Sequence, residues 1–160
     1  MSSIQEVLVA RDKASQKYEG ARHLLQVTLP MVNDPKLLLG VIGNMSASLE
    51  YSMDAILIYE RLLRLIPNYN SDFESRFNLF RYKSVRRNKI PAEIVHVMSE
   101  LRYILEMHKK SPIEFQRGNR FVICDKDYAM KIVSLNEIKK QLEHTKIMLD
   151  LTTTLTSKYF

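Results

Sequence analysis

Residues 35–66, PKLLLGVIGNMSASLEYSMDAILIYERLLRLI, decide the fold class. Leu38, Ile42, Met45, Leu49, Ser52, Ile56, Tyr59, Leu63 and Ile66 alternate spacings of four and three, a heptad-like seam on one face of a helix. Asn33-Asp34-Pro35 opens it, since Asp34 can cap and Pro35 suits the first helical position. No proline interrupts the run until Pro67. At about 1.5 Å per residue the helix reaches about 48 Å, longer than a compact domain needs. Val41, Ala55, Ile58 and Leu62 widen the apolar face, and Gly40, Gly43, Ser46, Ala47 and Ser48 form a thin patch where another helix can approach closely. The seam predicts a helical bundle and a homodimer in which part of this helix packs on a second subunit. A kink near the glycines is the alternative use of the patch.

Four more helices follow from pattern and punctuation. Ile4, Leu8, Ala14, Tyr18, Ala21 and Leu25 form an approximate stripe over residues 4–29. Ser71-Asp72-Phe73-Glu74 reads as a capping box with Ser71 as the cap, opening a helix with Phe73, Phe77 and Phe80 on one face. Phenylalanines at that spacing are core more often than a base-stacking surface. Pro91 starts a helix with Ile94, Met98, Leu101 and Leu105 inward, which ends near Lys110 because Pro112 disfavours helix at Ser111. Ser134-Leu135-Asn136-Glu137 is a second capping box, before a last helix with Leu135, Ile138, Leu142, Leu149 and Leu155 inward. Between these two, 121–124 and 128–133, separated by Asp125-Lys126-Asp127, read as a short β-hairpin. The expected fold is all-α: an antiparallel bundle of about five helices over residues 1–160, one domain, with a small hairpin before the last helix.

Composition bounds the function. An apolar share of 46% and a charged share of 26% describe a globular chain, and 160 residues suffice for one ordinary core. Cys124 is the single cysteine, so there is no internal disulfide; with no hydrophobic signal core in MSSIQEVLVARDK, a reducing, cytoplasmic setting is expected. The most apolar run, 37–58, carries Glu50, Asp54 and three serines, which argues against a membrane span. Glu93 and His96 have the spacing of a di-iron bundle motif, but the chain holds one such motif and His108, His144 and Cys124 are scattered. No metal and no cofactor are expected. The glycines build no phosphate loop.

The net charge of +6 is unevenly spread. Residues 76–120 hold eleven Lys/Arg against Glu93, Glu100, Glu106 and Glu114, a local +7, and the rest of the chain sums to −1. Arg86, Arg87, Lys109, Lys110, Arg117 and Arg120 are the candidate phosphate-binding residues of this zone. A solvated helix face is the other account of the same charge.

Arg102-Tyr103-Ile104-Leu105-Glu106-Met107-His108 places an arginine and a histidine five residues apart, late in a helix of a helical bundle. This resembles the Arg-x(4–6)-His motif of the HEPN superfamily, small helical domains that are commonly dimers and include metal-independent endoribonucleases. The resemblance covers roughly residues 35–110, and it departs from the family at Tyr103, where active members usually carry a polar residue, and in the hairpin. It implies that Arg102 binds the scissile phosphate and His108 moves a proton, without a cofactor. Six residues along a regular helix set the two side chains about 120° apart. They meet only if the helix loosens near Lys109 or if two subunits contribute. His108 also extends the Ile94-Met98-Leu101-Leu105 stripe, as a helix-end residue against the last carbonyls. The leading expectation is an RNA-directed, HEPN-like protein and metal-independent endoribonuclease. The other is a non-catalytic helical dimerisation module docking an acidic protein or a ribonucleoprotein through the basic zone.

Overall fold

Five helices and a three-stranded sheet follow one another in a computed structural model that describes residues 3–111 and 113–158. Helix α1 runs through Ile4–His23, a π turn at Leu24–Thr28, and Leu29–Val32. Helix α2 is Leu37–Leu62. Helix α3 joins Phe73–Leu79, a second π turn at Phe80–Ser84, and Val85–Asn88. Helix α4 is Ala92–Lys110, strands β1, β2 and β3 are Ile113–Arg117, Arg120–Cys124 and Met130–Ser134, and helix α5 is Leu135–Leu155. No described helix is long and apolar enough to cross a membrane.

Helix α2 is the central element, in contact with α1, α3, α4 and α5. Its seam is consumed inside the chain: Leu38, Ile42, Met45, Leu49, Ser52, Ile56, Tyr59 and Ile66 are all buried. The small-residue patch admits α1. A Cβ on Gly40 would come within 3.2 Å of Leu24, and Ser48 Oγ donates to the Ala14 carbonyl at 2.8 Å. Leu63 alone of the seam is partly buried, so most of the apolar face that predicts a dimer is used inside the chain. The helix is also shorter than its pattern. Arg64 adopts a left-handed φ of 59°, and Leu65 N–H donates back to the Glu60 carbonyl at 2.9 Å, closing the end before Pro67. At the other end Asp34 accepts from Lys36 N–H at 3.0 Å and ties the turn at 35–36, but the helix begins two residues after the expected Pro35, at Leu37, without a side-chain cap from Lys36.

Both π turns shift helix phase. In α1 the Leu29 N–H donates to the Leu24 carbonyl, one residue further back than in an α-helix, just before Pro30, which has no N–H to give. The buried stripe of α1 is Val7, Ala10, Ala14, Tyr18, Ala21 and Leu25, while Leu8 is exposed. In α3 the Val85 N–H donates to the Phe80 carbonyl. The extra residue turns Ser84 inward, in line with Asn88, toward α2. The cap of α3 is Asp72 rather than Ser71, since its carboxylate accepts from Ser75 N–H at 3.0 Å. Ser134 does cap α5, accepting from Glu137 N–H at 3.2 Å.

The expected hairpin is a three-stranded antiparallel meander in the order β1-β2-β3. Strand β1 alternates Ile113 and Phe115 with Glu114 and Gln116, and it joins β2 through a two-residue turn at Gly118-Asn119, where Gly118 takes a φ of 64°. Strand β3 starts at Met130 because Asp125 ties the preceding turn, accepting from Asp127 N–H at 2.8 Å and Ala129 N–H at 2.9 Å, with Tyr128 left-handed. Phe121, Ile123 and Val133 turn into the main core. On the same face Lys131 forms an ion pair with Glu100 of α4, pinning the sheet to the bundle. Ser111 leaves α4 in an extended conformation, and Pro112 lies outside the described residues.

Candidate functional site

The basic zone divides by what its arginines do. Arg76 is structural: it spans to Glu50 and Asp54 of α2 at 2.6 Å each. Burial raises the Asp54 carboxyl above its ordinary range, although the hydrogen bond and charge of Arg76 oppose this. Arg87 is structural too. Glu60 is buried on α2, accepts from Arg87 at 2.7 Å, from Asn88 Nδ2 at 3.2 Å and from Ser84 Oγ, and Arg87 also donates to the Leu65 carbonyl at 3.1 Å. A buried carboxylate needs such a set of donors. Nothing in the sequence pattern marked Glu60, which continues an apolar run. Its pairing with Arg87 takes that arginine out of the set free to bind phosphate.

Arg86, Lys110, Arg117 and Arg120 are exposed and, among the described residues, have no ion-pair or hydrogen-bond partner. Lys109 stands 3.8 Å from Glu106, a loose surface pair.

Between α3 and α4 lies a cleft of about 340 Å³ that joins arginines to aromatic rings. This is near the low end of the usual ligand-cleft range, about 300–1,000 Å³. Phe73 and Phe77, one turn apart, stack with centroids 5.2 Å apart and planes 18° apart. The Arg102 guanidinium lies over the Phe73 ring at 3.7 Å. Arg81 lies 5.4 Å from the Phe77 centroid and 4.7 Å from Tyr82. Tyr82 and Tyr103 leave 52% and 53% of their surface exposed. Among the described residues Arg102 has no hydrogen-bond or ion-pair partner, so its planar fork of donors is held by stacking and offered to solvent. Glu74 and Glu106 also line the cleft and balance the two arginines there. Lys83 and Arg86, further along α3, are exposed.

Phe77 and Phe80 are buried, as core phenylalanines, whereas Phe73 is half-buried at the cleft rim. The Phe-x-x-x-Phe spacing could have flagged a stacked pair. What it could not show is that α4 brings Arg102 onto it.

His108 does not join this cleft. Its Nδ1 stands 2.8 Å from Glu114 Oε1 of β1, and the helix is regular through Lys110. Within one chain Arg102 and His108 are therefore held to different elements, and the loosening near Lys109 that would bring them together is not found. His108 is exposed rather than a continuation of the buried stripe. Glu114, which no pattern in the sequence singles out, holds the His108 ring through Nδ1. Among the described residues no group of three or more His, Cys, Asp or Glu could hold a metal ion.

Comparison with family models, curated proteins and solved structures finds no significant match to this chain.

Proposed function

We propose that this protein is an RNA-directed binding module that takes single-stranded RNA along the α3–α4 cleft. The observation that carries this reading is the Arg102 guanidinium, without an ion-pair or hydrogen-bond partner among the described residues, stacked on Phe73 beside the half-exposed Tyr103. Single strands are held by sequence-tolerant stacking of bases on aromatic rings and by cations that follow the phosphates. The cleft has both kinds of group, with Tyr103 for a base and Arg102 for a phosphate, beside Arg81, whose guanidinium also donates to Asn78 and Tyr82. Lys83 and Arg86 continue the positive charge along α3. A docking site for acidic protein would use the arginines and leave the rings without a role, so RNA is favoured.

Binding is the function the geometry supports best, and cleavage is the more demanding version of it. HEPN-like catalysis needs Arg102 and His108 at one phosphate, which here requires Arg102 of one copy to meet His108 of another.

The test is a titration of a fluorescently labelled single-stranded RNA at several salt concentrations. Micromolar binding that weakens steeply with salt is expected, together with much weaker binding to a blunt duplex or to polyaspartate. No binding at about 50 mM salt, where electrostatic attraction is little screened, removes the reading. Equal affinity for polyaspartate replaces it with an acidic-protein module.

A further inference from the structure

A cleft of about 510 Å³ opens where the end of α1, the start of α2, the β1–β2 turn and the start of α5 meet. Its size falls within the usual range for small-molecule sites, about 300–1,000 Å³. The walls are Leu25, Leu29, Pro30, Pro35, Leu38 and Leu135. Leu25 and Leu38 are buried members of the main core, so the core itself forms part of the lining. The π turn at Leu24–Thr28 contains Leu25 and widens α1 directly before Leu29 and Pro30. Single-turn bulges of this kind are frequent at functional sites. Between the lining residues Pro30 and Asn33, Met31 and Val32 are 81% and 61% exposed, so apolar surface continues from the cleft along the end of α1.

Polar groups in the cleft are few. Asn33, Gln116 and Asn119 are neutral, and Lys139 is the one charged residue of the lining. Lys139 has no ion-pair or hydrogen-bond partner among the described residues. With Leu25 and Pro30 it also lines an adjoining cleft of about 600 Å³ between α1 and α5, where Glu143 and Lys146 carry opposite charges. Charged residues next in sequence to the lining of the first cleft are Lys36, Arg117, Arg120 and Lys140, against Asp34 alone. Asp34 is engaged in its own turn, accepting from Lys36 N–H at 3.0 Å.

We propose that this cleft binds a small amphipathic acid, its apolar body against the leucines and prolines and its carboxylate at Lys139. The proposal stands apart from the RNA reading, which uses the α3–α4 cleft. Charge decides the class of ligand. A neutral apolar molecule would leave Lys139 without a partner beside an apolar wall, and a cation would meet like charge. A carboxylate gains a charge-assisted hydrogen bond. One lysine in the lining matches one negative charge, so a singly charged acid fits better than a phosphate ester. The amides of Asn33 and Asn119 can serve the second carboxylate oxygen, while Gln116 already donates to the Gly118 carbonyl at 3.0 Å.

Titration calorimetry and methyl chemical shifts of the full chain with decanoate test the proposal, with decanol as the uncharged probe of equal chain length. Decanoate should bind at about 0.1 mM, within reach of a ligand of about a dozen non-hydrogen atoms, and should shift the methyls of Leu29 and Leu135. Decanol should bind about tenfold more weakly, the scale of one hydrogen bond to a charged group. Lys139→Met should bring decanoate to the decanol value and leave decanol unchanged. Gln116→Trp, at an exposed lining position, should block both probes with an unchanged circular dichroism spectrum. Sedimentation with vesicles of phosphatidylcholine and phosphatidylglycerol separates a free acid from an anionic bilayer, and the protein should stay in the supernatant. No binding at about 1 mM decanoate, roughly ten times the expected constant, overturns the proposal. So does equal affinity for decanoate and decanol, or decanoate binding that Lys139→Met leaves intact. Binding that survives Gln116→Trp places the ligand elsewhere and overturns it too. Pelleting with vesicles in the absence of decanoate binding replaces the free acid with a lipid surface.

Discussion

The Arg102 guanidinium lies 3.7 Å from the centre of the Phe73 ring, joining the late part of α4 to the first turn of α3. Arg102 has no acidic partner among the described residues, so the stacking leaves its donors free while fixing their plane. Arg76 and Arg87, on the same helix as Phe73, spend theirs on buried or half-buried carboxylates. One basic zone thus contains arginines that hold the bundle together and arginines that the bundle presents.

Replacing Arg102 should separate those roles. Arg102→Ala should weaken single-stranded RNA about 5- to 30-fold, on the order of 1–2 kcal/mol, and reduce the salt slope by about one. The stability loss should stay near ~1 kcal/mol or less, the scale of one exposed cation–π contact. Arg102→Lys keeps the charge but lacks the planar fork, so its affinity should fall between the two. Anisotropy titrations and thermal melts of the three proteins check this, and equal affinity for all three would remove Arg102 from the interface.

Arg86 and Arg87 are neighbours with opposite expected phenotypes. Arg86 is exposed and unpaired, so Arg86→Ala should weaken RNA binding by a few fold with an unchanged melting temperature. Arg87→Met strands part of the buried Glu60 carboxylate. Ser84 and Asn88 remain to serve it, so the cost should be about 2–4 kcal/mol rather than the full penalty of an unpaired buried charge. Glu60→Gln with Arg87→Met should recover part of that loss. Chemical denaturation measures all of these, and a melting loss for Arg86→Ala equal to that for Arg87→Met would contradict the assignment.

The Asp54 carboxyl gives a pH signature. Burial raises its folded pKa above the ordinary 3.8, with Arg76 opposing and Glu50 adding to the rise. The folded state therefore holds this proton more tightly than the unfolded chain. Its contribution to stability is present below 3.8 and is lost as pH rises through 3.8 toward the higher folded value. Wild type should gain on Asp54→Asn as pH falls toward 3.8 from neutral. In Arg76→Met the Asp54 titration, followed by carboxyl chemical shifts, should move further up. A downward move would mean that Arg76 does not hold the Asp54 carboxyl down.

Much of the architecture is legible because the apolar spacing in each helix and the prolines at 35, 67 and 91 are local signals. What was missed depends on partners distant in sequence. Leu8 and Val7 compete for the same stripe, and only the placement of α2 selects Val7. The π turn at Phe80–Ser84 answers to Glu60, whose neighbours in sequence give no hint of its donors. Strand β1 is the exception, since the alternation of Ile113 and Phe115 with Glu114 and Gln116 before Gly118-Asn119 is itself a local signal. The long seam of α2 is legible as apolar, but its neighbours α1, α3, α4 and α5 are not, since periodicity reports that a face is buried and not what buries it. At the site, Arg102 and His108 were legible as residues able to do phosphate chemistry. Phe73 and Glu114, which decide what each can reach, belong to other elements.

Catalysis, if the protein has it, should depend on assembly. Arg102 is committed to Phe73 and His108 to Glu114 within each chain, so a phosphate could meet both only across two copies. Metal-independent cleavage of single-stranded RNA should then fall at least ~100-fold in Arg102→Ala and in His108→Ala, the lower scale for loss of a general acid or base. Replacing both should cost little more than either alone, because the groups act as a unit. Glu114→Gln should lower the rate less, since it disturbs the orientation of His108 and not its presence. The decisive measurement is a mixture of the two inactive variants. A heterodimer of Arg102→Ala and His108→Ala contains one site with both wild-type groups, so random exchange of subunits should restore about a quarter of wild-type activity. Each variant alone should remain inactive. A mixture as dead as its components, beside an active wild type, places both groups in one chain and requires α4 to unwind beyond Leu105. Wild type that leaves RNA intact between about pH 5 and 8, where histidine changes charge, leaves the cleft with binding as its whole function.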